Sequence, residues 1–263
     1  MEEESTLKKR ERKKLNRLNK VHRENKESFK KKVFTVFAII ALSVGFFWLI
    51  FRNTSQEDYS KPQDTKSPVS LKEVKSEDHT KGSTEPIVTL IEYADFQCPA
   101  CASYNVIVNQ LVQEFKDKIQ VVYRHFPLSS IHRHAQIAAQ AAEAAGDQGY
   151  FWEFVDVLYE RQNEWSNTRD PRNLFKDYAK ELTLNVEQFD KYMNSEEAKK
   201  KVRADYESGL AAGIDSTPTF YINGEKVINP KGLEPFRQLV QKIINDSKQE
   251  EEMQNNNEPI PQL

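Results

Sequence analysis

The two cysteines of this 263-residue chain, Cys98 and Cys101, are separated by only two residues. This spacing is typical of a reversible disulfide, because one thiol can lie just before a helix and the other one turn inside it. Pro99 suits the first helical position, where its missing N–H costs no hydrogen bond. The unpaired N–H groups at the helix start would then favour the Cys98 thiolate. The spacing therefore predicts thiol–disulfide exchange, in which Cys98 attacks a disulfide and Cys101 resolves the mixed disulfide.

Two other uses of a cysteine pair stay open from the sequence. A zinc site would need two further ligands, and His125, His132 and His134 are the nearby candidates. A structural disulfide is the second alternative, although so short a loop would restrict the unfolded chain little. We favour exchange chemistry, because the pair falls between a predicted strand and a predicted helix. We therefore expect no metal and no cofactor, and we interpret the three histidines as structural.

Apolar patterns on both sides of the cysteines predict the elements that position them. Residues 87–93 form a nearly continuous apolar run, as in a central strand covered on both faces. Apolar residues then recur at helical spacing as far as Phe115, and residues 119–124 predict a second strand. A strand–helix–strand unit makes the two strands parallel, with a right-handed crossover.

The remainder of the folded part is predicted as helices followed by a hairpin. Alanine-rich and amphipathic segments predict a helical insertion at about residues 130–212. Within it, helices are expected at about 171–181, 186–193 and 196–210. Strands return at residues 219–222 and 226–228, separated by Asn223-Gly224, which is typical of a hairpin turn. A closing amphipathic helix completes an α/β fold with the order β-α-β, helical insertion, β-β-α.

Two motifs in this folded part match a known pattern. Residues 92–101 read EYADFQCPAC, and residues 213–220 read GIDSTPTF. The first resembles the active-site strand and helix start of the thioredoxin superfamily. Together with the insertion and residues 123–152, both resemble its DsbA-like branch, including the membrane-attached disulfide oxidoreductases of Gram-positive bacteria. The resemblance covers about residues 86–247, and it implies a thioredoxin fold and protein disulfide oxidoreductase activity.

The resemblance also implies roles for three positions besides the cysteines. Pro218 is expected to follow a cis peptide bond and to face the cysteines, and Thr217 is expected to contact the substrate backbone. Glu92 lies six residues before Cys98 and is expected to relay a proton to Cys101. Because an acid in an apolar strand is costly to bury in its charged form, its pKa should be raised. The alternative is an ordinary carboxylate at the wet end of the strand.

Ala100 is the point at which the motif departs from the best-known strong oxidant of the branch. That protein carries a histidine between its cysteines, and the histidine stabilises the thiolate. Ala100 supplies no charge. We therefore expect an oxidant of intermediate strength.

A membrane anchor is predicted near the N-terminus. Residues 33–51 are 19 residues without a charge, which at about 1.5 Å per residue approach the ~30 Å hydrocarbon core of a bilayer. Residues 1–32 carry 13 Lys/Arg against six Asp/Glu, which places them in the cytoplasm by the positive-inside tendency. A cleaved signal peptide and a buried core helix are weaker alternatives, since no small-residue cleavage site follows and every face is apolar.

Polar segments flank the predicted domain. Residues 52–85 are expected to be a flexible linker, and residues 248–263 a disordered tail, because neither has enough apolar content to form a core. The basic residues 1–32 beside the membrane are explained by topology and anionic lipid, so no nucleic-acid partner is expected.

The favoured function is oxidation of thiols in exported or cell-surface proteins by a domain outside the cell membrane. A membrane redox partner, DsbB-like or quinone-linked, would reoxidise Cys98 and Cys101. Two alternatives stay open. One is a disulfide reductase or isomerase, and the other is a non-catalytic thioredoxin-like module that binds peptides at the Pro218 loop.

Overall fold

The computed structural model describes residues 73–257, and a mixed β-sheet lies at the centre of their fold. The strands of this sheet are β1 (His79–Gly82), β2 (Val88–Ala94), β3 (Ile119–His125), β4 (Thr219–Ile222) and β5 (Glu225–Lys226). Their order across the sheet is β1-β3-β2-β4-β5. β2 and β3 are parallel, and the other neighbours are antiparallel. β2 therefore lies at the centre of the sheet.

Helices connect and cover these strands. α1 (Pro99–Glu114) joins β2 to β3, and α8 (Leu233–Asn257) follows the hairpin. The insertion between β3 and β4 contains α2 (Ala135–Gly146), α3 (Phe151–Glu160), α4 (Gln162–Trp165), α5 (Arg172–Glu181), α6 (Val186–Met193) and α7 (Glu196–Ala211). The predicted α/β arrangement is confirmed, and α5 to α7 match their predicted bounds to within one residue.

The turn between β4 and β5 confirms the predicted hairpin. Asn223 and Gly224 have φ angles of 49° and 88°, in the left-handed region that these two residue types tolerate best. The Asn223 side chain also accepts the Thr89 N–H at 2.8 Å and donates to the Ile87 carbonyl at 3.1 Å. The turn is therefore tied to the start of the central strand.

The folded part begins earlier than the sequence predicts, because β1 lies inside the expected linker, residues 52–85. Its sequence, HTKG, has no apolar face that would reveal a strand. It is held by pairing with β3, with His79 opposite Tyr123 and Gly82 opposite Gln120. This pairing depends on the backbone of a distant element, so it leaves no local signal.

The helix α8 continues into the expected tail, residues 248–263, as far as Asn257. Its first half is fixed by buried Phe236, Val240 and Ile244. The residues after this anchored half are mostly Glu, Gln, Lys and Asn, and several of these types favour helix without any packing. A helix that has already begun extends at little cost, which explains the later end.

Residues 1–72 and 258–263 lie outside the described part of the chain. The predicted cytoplasmic segment at 1–32, the transmembrane helix at 33–51 and most of the predicted linker fall there. Between residues 73 and 257, no helix is long and apolar enough to cross a membrane. The anchor therefore stays a prediction.

The central strand β2 is buried on both faces, as its apolar run predicts. Leu90 packs with Val121 and Phe236 on the face covered by α1 and α8, while Ile91 packs with Phe126 on the other face. Side chains alternate along a strand, so Glu92 shares the face of Leu90. The strand thereby directs one acidic side chain into the layer beneath α1.

Arg124, on β3, forms hydrogen bonds that hold the segment before β1 against the sheet. Its guanidinium donates to both carboxylate oxygens of Asp78, at 3.0 and 2.7 Å, and to the Glu73 carbonyl at 3.0 Å. A further bond reaches the Tyr93 hydroxyl at 3.2 Å. Both charged side chains of the pair are only 1% exposed. A buried bidentate pair with this many partners explains why a polar segment is ordered.

Replacing Arg124 with Met should lower the free energy of unfolding by about 3–5 kcal/mol, because it leaves the Asp78 carboxylate buried without its partner. Urea unfolding measures the change. The control is Arg172→Met, which removes an exposed pair with Asp170 and should change stability little. Equal effects in the two variants would contradict the role of the buried pair.

Candidate active site

The cysteine pair lies where β2 ends and α1 begins. Cys98 is the N-cap residue of α1, in extended conformation, and Pro99 is the first helical residue. Cys101 therefore falls in the first turn, as the spacing predicts. Cys98 is 8% exposed and Cys101 is fully buried, and both thiols are free. Cys98 is thus the sulfur that another molecule can reach.

The surroundings of Cys98 favour its thiolate. A hydrogen bond from the Cys101 thiol, together with the backbone N–H groups of Ala100 and Cys101, lowers the pKa of Cys98 to about 5 against the opposing effect of burial. A thiol with this pKa is almost entirely ionised at neutral pH. Ala100 contributes through its backbone, so the thiolate does not depend on a charged side chain between the cysteines.

Cys101 has the opposite character. Burial raises its pKa well above the ordinary value, and interactions with Cys98 and Glu92 raise it further. When Cys98 is a thiolate, Cys101 therefore keeps its proton. Cys101 must lose that proton to attack a mixed disulfide, and must gain one when it leaves a disulfide.

Glu92 is a buried acid whose charge acts on Cys101. It is 4% exposed, and burial raises its pKa to about 8, with the Lys81 charge opposing that shift and Cys98 adding to it. The expected burial and raised pKa are confirmed, whereas its role in proton transfer stays a prediction. Its pKa lies between those of Cys98 and Cys101. A proton can therefore pass downhill from Glu92 to a Cys101 thiolate.

Lys81 places a positive charge near Glu92 and was missed by sequence reasoning. Its ammonium lies 4.2 Å from the Trp152 ring centroid and donates to the Asn109 side chain, which in turn donates to Asp156 at 2.8 Å. Burial lowers the pKa of Lys81, while the charges of Asp156 and Glu92 oppose that shift. A lone lysine in a polar stretch carries no pattern that could have identified it.

The second motif lies beside Cys98, as the resemblance implies. The Thr217–Pro218 peptide bond is cis, and the Cys98 sulfur is 3.5 Å from the Thr217 carbonyl oxygen. Asn229 donates to the Pro218 carbonyl at 2.6 Å, and the Thr219 hydroxyl donates to the Ser216 carbonyl at 2.8 Å. The two motifs, more than 100 residues apart in the chain, thus form one site.

The helical insertion also contributes hydrogen bonds to the loop that contains the first motif. Gln162 donates to the carbonyls of Phe96 at 2.7 Å and Cys98 at 3.0 Å. Gln97 donates to the Ser166 carbonyl at 3.1 Å. The helical insertion therefore supports the site directly. Sequence reasoning missed Gln162, because nothing in its neighbourhood indicates which backbone it contacts.

The histidines proposed as alternative zinc ligands have other partners. His125 donates to Glu143 at 2.7 Å, and His134 contacts the Thr168 carbonyl at 2.9 Å. His132 contacts Asp95 at 2.8 Å. Within residues 73–257, no group of three or more His, Cys, Asp and Glu side chains could hold a metal ion.

A family comparison agrees with this geometry. The family model described as Thioredoxin matches residues 74–242 of the chain. The chain belongs to the thioredoxin family. The matched range begins before β1 and includes both motifs. β1, which lies within the predicted linker, is therefore part of this thioredoxin domain.

Solved structures of DsbA-family proteins share the fold of this thioredoxin domain. Oxidised BdbD from Bacillus subtilis superposes with a TM-score of 0.57 at 21% identity, covering 64% of this chain and 93% of that chain. The alpha-DsbA1 protein of Wolbachia pipientis gives a TM-score of 0.60 at 21% identity, covering 67% and 96%. At such identity the likeness shows a common fold.

Curated relatives of similar sequence are named as antiporters. Na(+)/H(+) antiporter NhaA 1 of Salinispora arenicola is 38% identical over 149 residues, which cover 57% of this chain and 22% of that protein. NhaA 3 of Salinispora tropica is 35% identical over 163 residues, covering 62% and 24%. The chain spans about a quarter of the length of these relatives, and the activity in their names is not carried over to it.

Replacing Cys101 with Ala should raise the pKa of Cys98 by about 1–2 units, because the thiol hydrogen bond is the largest contribution to the lowered value. Cys101→Ser keeps a donor and should retain most of the lowering. The ultraviolet absorbance of the thiolate, followed against pH, measures both. An unchanged Cys98 titration in the alanine variant would contradict this account.

Replacing Glu92 with Gln should stabilise the reduced protein at neutral pH, on the order of 3 kcal/mol. The wild-type carboxyl ionises near its ordinary pKa when unfolded but only at about 8 when folded. Wild-type stability therefore falls as pH rises between these values, because the unfolded chain releases its proton first. Gln resembles the protonated carboxyl and cannot ionise, so the stability of the variant should not fall over this pH range.

Denaturant unfolding of both proteins across this pH range measures the difference. The two stabilities should converge near the ordinary glutamate pKa, at about pH 4. A difference that is constant with pH would show that Glu92 is not held protonated by the fold.

Proposed function

We propose that this thioredoxin-family chain is a protein thiol–disulfide oxidoreductase that acts through Cys98 and Cys101. One observation carries the proposal: an accessible sulfur with a pKa of about 5 lies beside a buried sulfur whose pKa is raised. Such a pair has a distinct attacking or leaving thiolate and a distinct resolving thiol. A structural disulfide would have no need of this difference.

The oxidising reaction can be written for these residues. A substrate thiolate attacks the Cys98 sulfur, the Cys98–Cys101 bond breaks, and Cys101 leaves. Its high proton affinity draws a proton from Glu92, since the pKa of Glu92 is about 8. A second substrate thiolate then attacks the substrate sulfur of the mixed disulfide, and Cys98 leaves as a thiolate. The substrate gains a disulfide, and the cysteine pair takes up two electrons.

The pKa of Cys98 supports net oxidation rather than reduction. Stabilising the thiolate stabilises the reduced protein, which makes the disulfide a stronger oxidant. A value of about 5 lies between the ~7 of thioredoxin and the ~3.5 of DsbA. An oxidant of intermediate strength is the corresponding proposal.

The compartment and partners belong to the same proposal. Residues 33–51 would anchor the protein, leaving the thioredoxin domain outside the cell membrane. Its substrates would be exported or cell-surface proteins with cysteine thiols. A membrane partner, DsbB-like or quinone-linked, would accept the two electrons and restore the Cys98–Cys101 disulfide.

The equilibrium with glutathione should give a reduction potential between about −120 and −250 mV, as for oxidants and isomerases rather than thioredoxin. Alkylation of the cysteines after equilibration in glutathione buffers measures it. A potential below about −250 mV would instead favour the reductase alternative.

Trapping of the cysteine redox state in intact cells tests the direction of electron flow. The wild-type pair should be mostly disulfide, and loss of the membrane partner should convert it to dithiol. A mostly dithiol pair in normal cells would contradict the oxidase. A variant with serine at both positions should lose cellular function, and preserved function would point to the peptide-binding module.

A further inference from the structure

Asp95 carries a buried carboxylate in the loop just before the cysteines. Its side chain has no exposed surface. One carboxylate oxygen accepts the Gln97 N–H at 2.7 Å, and the other accepts the Leu128 N–H at 2.8 Å and faces His132 Nδ1 at 2.8 Å. A carboxylate so deeply buried is tolerated only when its oxygens are satisfied by donors such as these.

The backbone of Asp95 interacts with both cysteines. Its carbonyl accepts the Cys98 N–H at 3.1 Å, which helps to close the turn into α1. Burial raises the pKa of Cys101, and the hydrogen bond from the Asp95 N–H opposes that rise. The orientation of Asp95 therefore affects both sulfurs of the pair.

His132 comes from a different part of the fold, the loop between β3 and α2. Its side chain is 17% exposed, in contrast to that of Asp95. The two other donors to the Asp95 carboxylate are backbone N–H groups, so His132 supplies the side-chain donor. An Nδ1–H facing a carboxylate oxygen at 2.8 Å is a charge-assisted hydrogen bond.

We infer that His132 is a positioning residue of the active site, which acts through Asp95 to hold the loop that carries Cys98. This inference rests on the proposed oxidoreductase function, because it concerns how that site is tuned. His132 Nδ1 is the side-chain partner of the Asp95 carboxylate, and the Asp95 carbonyl accepts the Cys98 N–H. Without this donor, the buried carboxylate would lose a partner, and the loop would hold the start of α1 less well against the Cys98 thiolate. The reduced form would lose stabilisation, and the disulfide would become a weaker oxidant.

Three variants of the full chain test the inference. His132→Ala removes the donor. His132→Asn keeps a side-chain N–H close to the position of Nδ1 and should rescue the defect. Arg133→Ala is the matched control, because Arg133 is an exposed neighbour in the same loop and does not contact Asp95. The readouts are the Cys98 thiolate titration and the equilibrium constant with glutathione.

The alanine variant should weaken the oxidising equilibrium constant about tenfold and shift the Cys98 titration to higher pH, as expected for loss of a charge-assisted hydrogen bond. The equilibrium constant of the asparagine variant should stay within about threefold of the wild-type value. Arg133→Ala should have the wild-type equilibrium constant. A merely structural role would lower stability in the alanine variant without moving the thiolate titration.

Two results would overturn the inference: a wild-type thiolate titration in His132→Ala, or an asparagine variant as defective as the alanine variant. Should His132→Ala not fold, His132→Leu keeps side-chain volume without a donor and replaces it in the same comparison. Failure of the proposed function is distinguishable, since then wild type itself would not exchange with glutathione. The Cys98 titration would still test His132 in that case.

Discussion

Burial of Cys101 and Glu92 beneath a more exposed Cys98 is the constraint on which the rest of this thioredoxin domain depends. The central strand β2 is covered on both faces, so the acid that it carries is removed from water. The start of α1 meanwhile supplies donors to Cys98. The pKa values are thereby separated, at about 5 for Cys98 and about 8 for Glu92, with that of Cys101 raised well above its ordinary value. This order determines which sulfur of the reduced pair is a thiolate.

A buried acid is a cost that the surrounding structure must offset. β1 brings Lys81 near Glu92, where its charge limits the upward shift in pKa. The Arg124–Asp78 pair holds the segment before β1 in place. The N-terminal strand is therefore part of the site's electrostatics as well as an edge of the sheet. The insertion has a similar double role, since it supplies core packing and also the side chain of Gln162 to the motif loop.

Sequence reasoning predicted the elements whose signals are local. The apolar run of β2, the helical spacing of α1 and the Asn223-Gly224 turn depend on neighbouring residues, and all three are present. β1 was missed because it is stabilised by pairing with β3, while Arg124 holds the segment before it, and these partners are 38 or more residues away. Lys81 and Gln162 were missed as site residues because what they interact with at the site lies in other elements of the fold. The sequence interpreted His132 as structural, and its contact with Asp95 likewise leaves no local signal. Pro218 was identified only through resemblance, because a proline before a strand is otherwise unremarkable in sequence.

The separation of proton affinities within the site is the central claim, and it has a direct test. Carbon-13 labels in the cysteine and glutamate side chains of the reduced protein allow each group to be titrated by NMR. The account predicts that Cys98 titrates near pH 5 and Glu92 near pH 8, with Cys101 protonated beyond both. Two thiols that titrate together near their ordinary pKa, with Glu92 ionised at acidic pH, would contradict it.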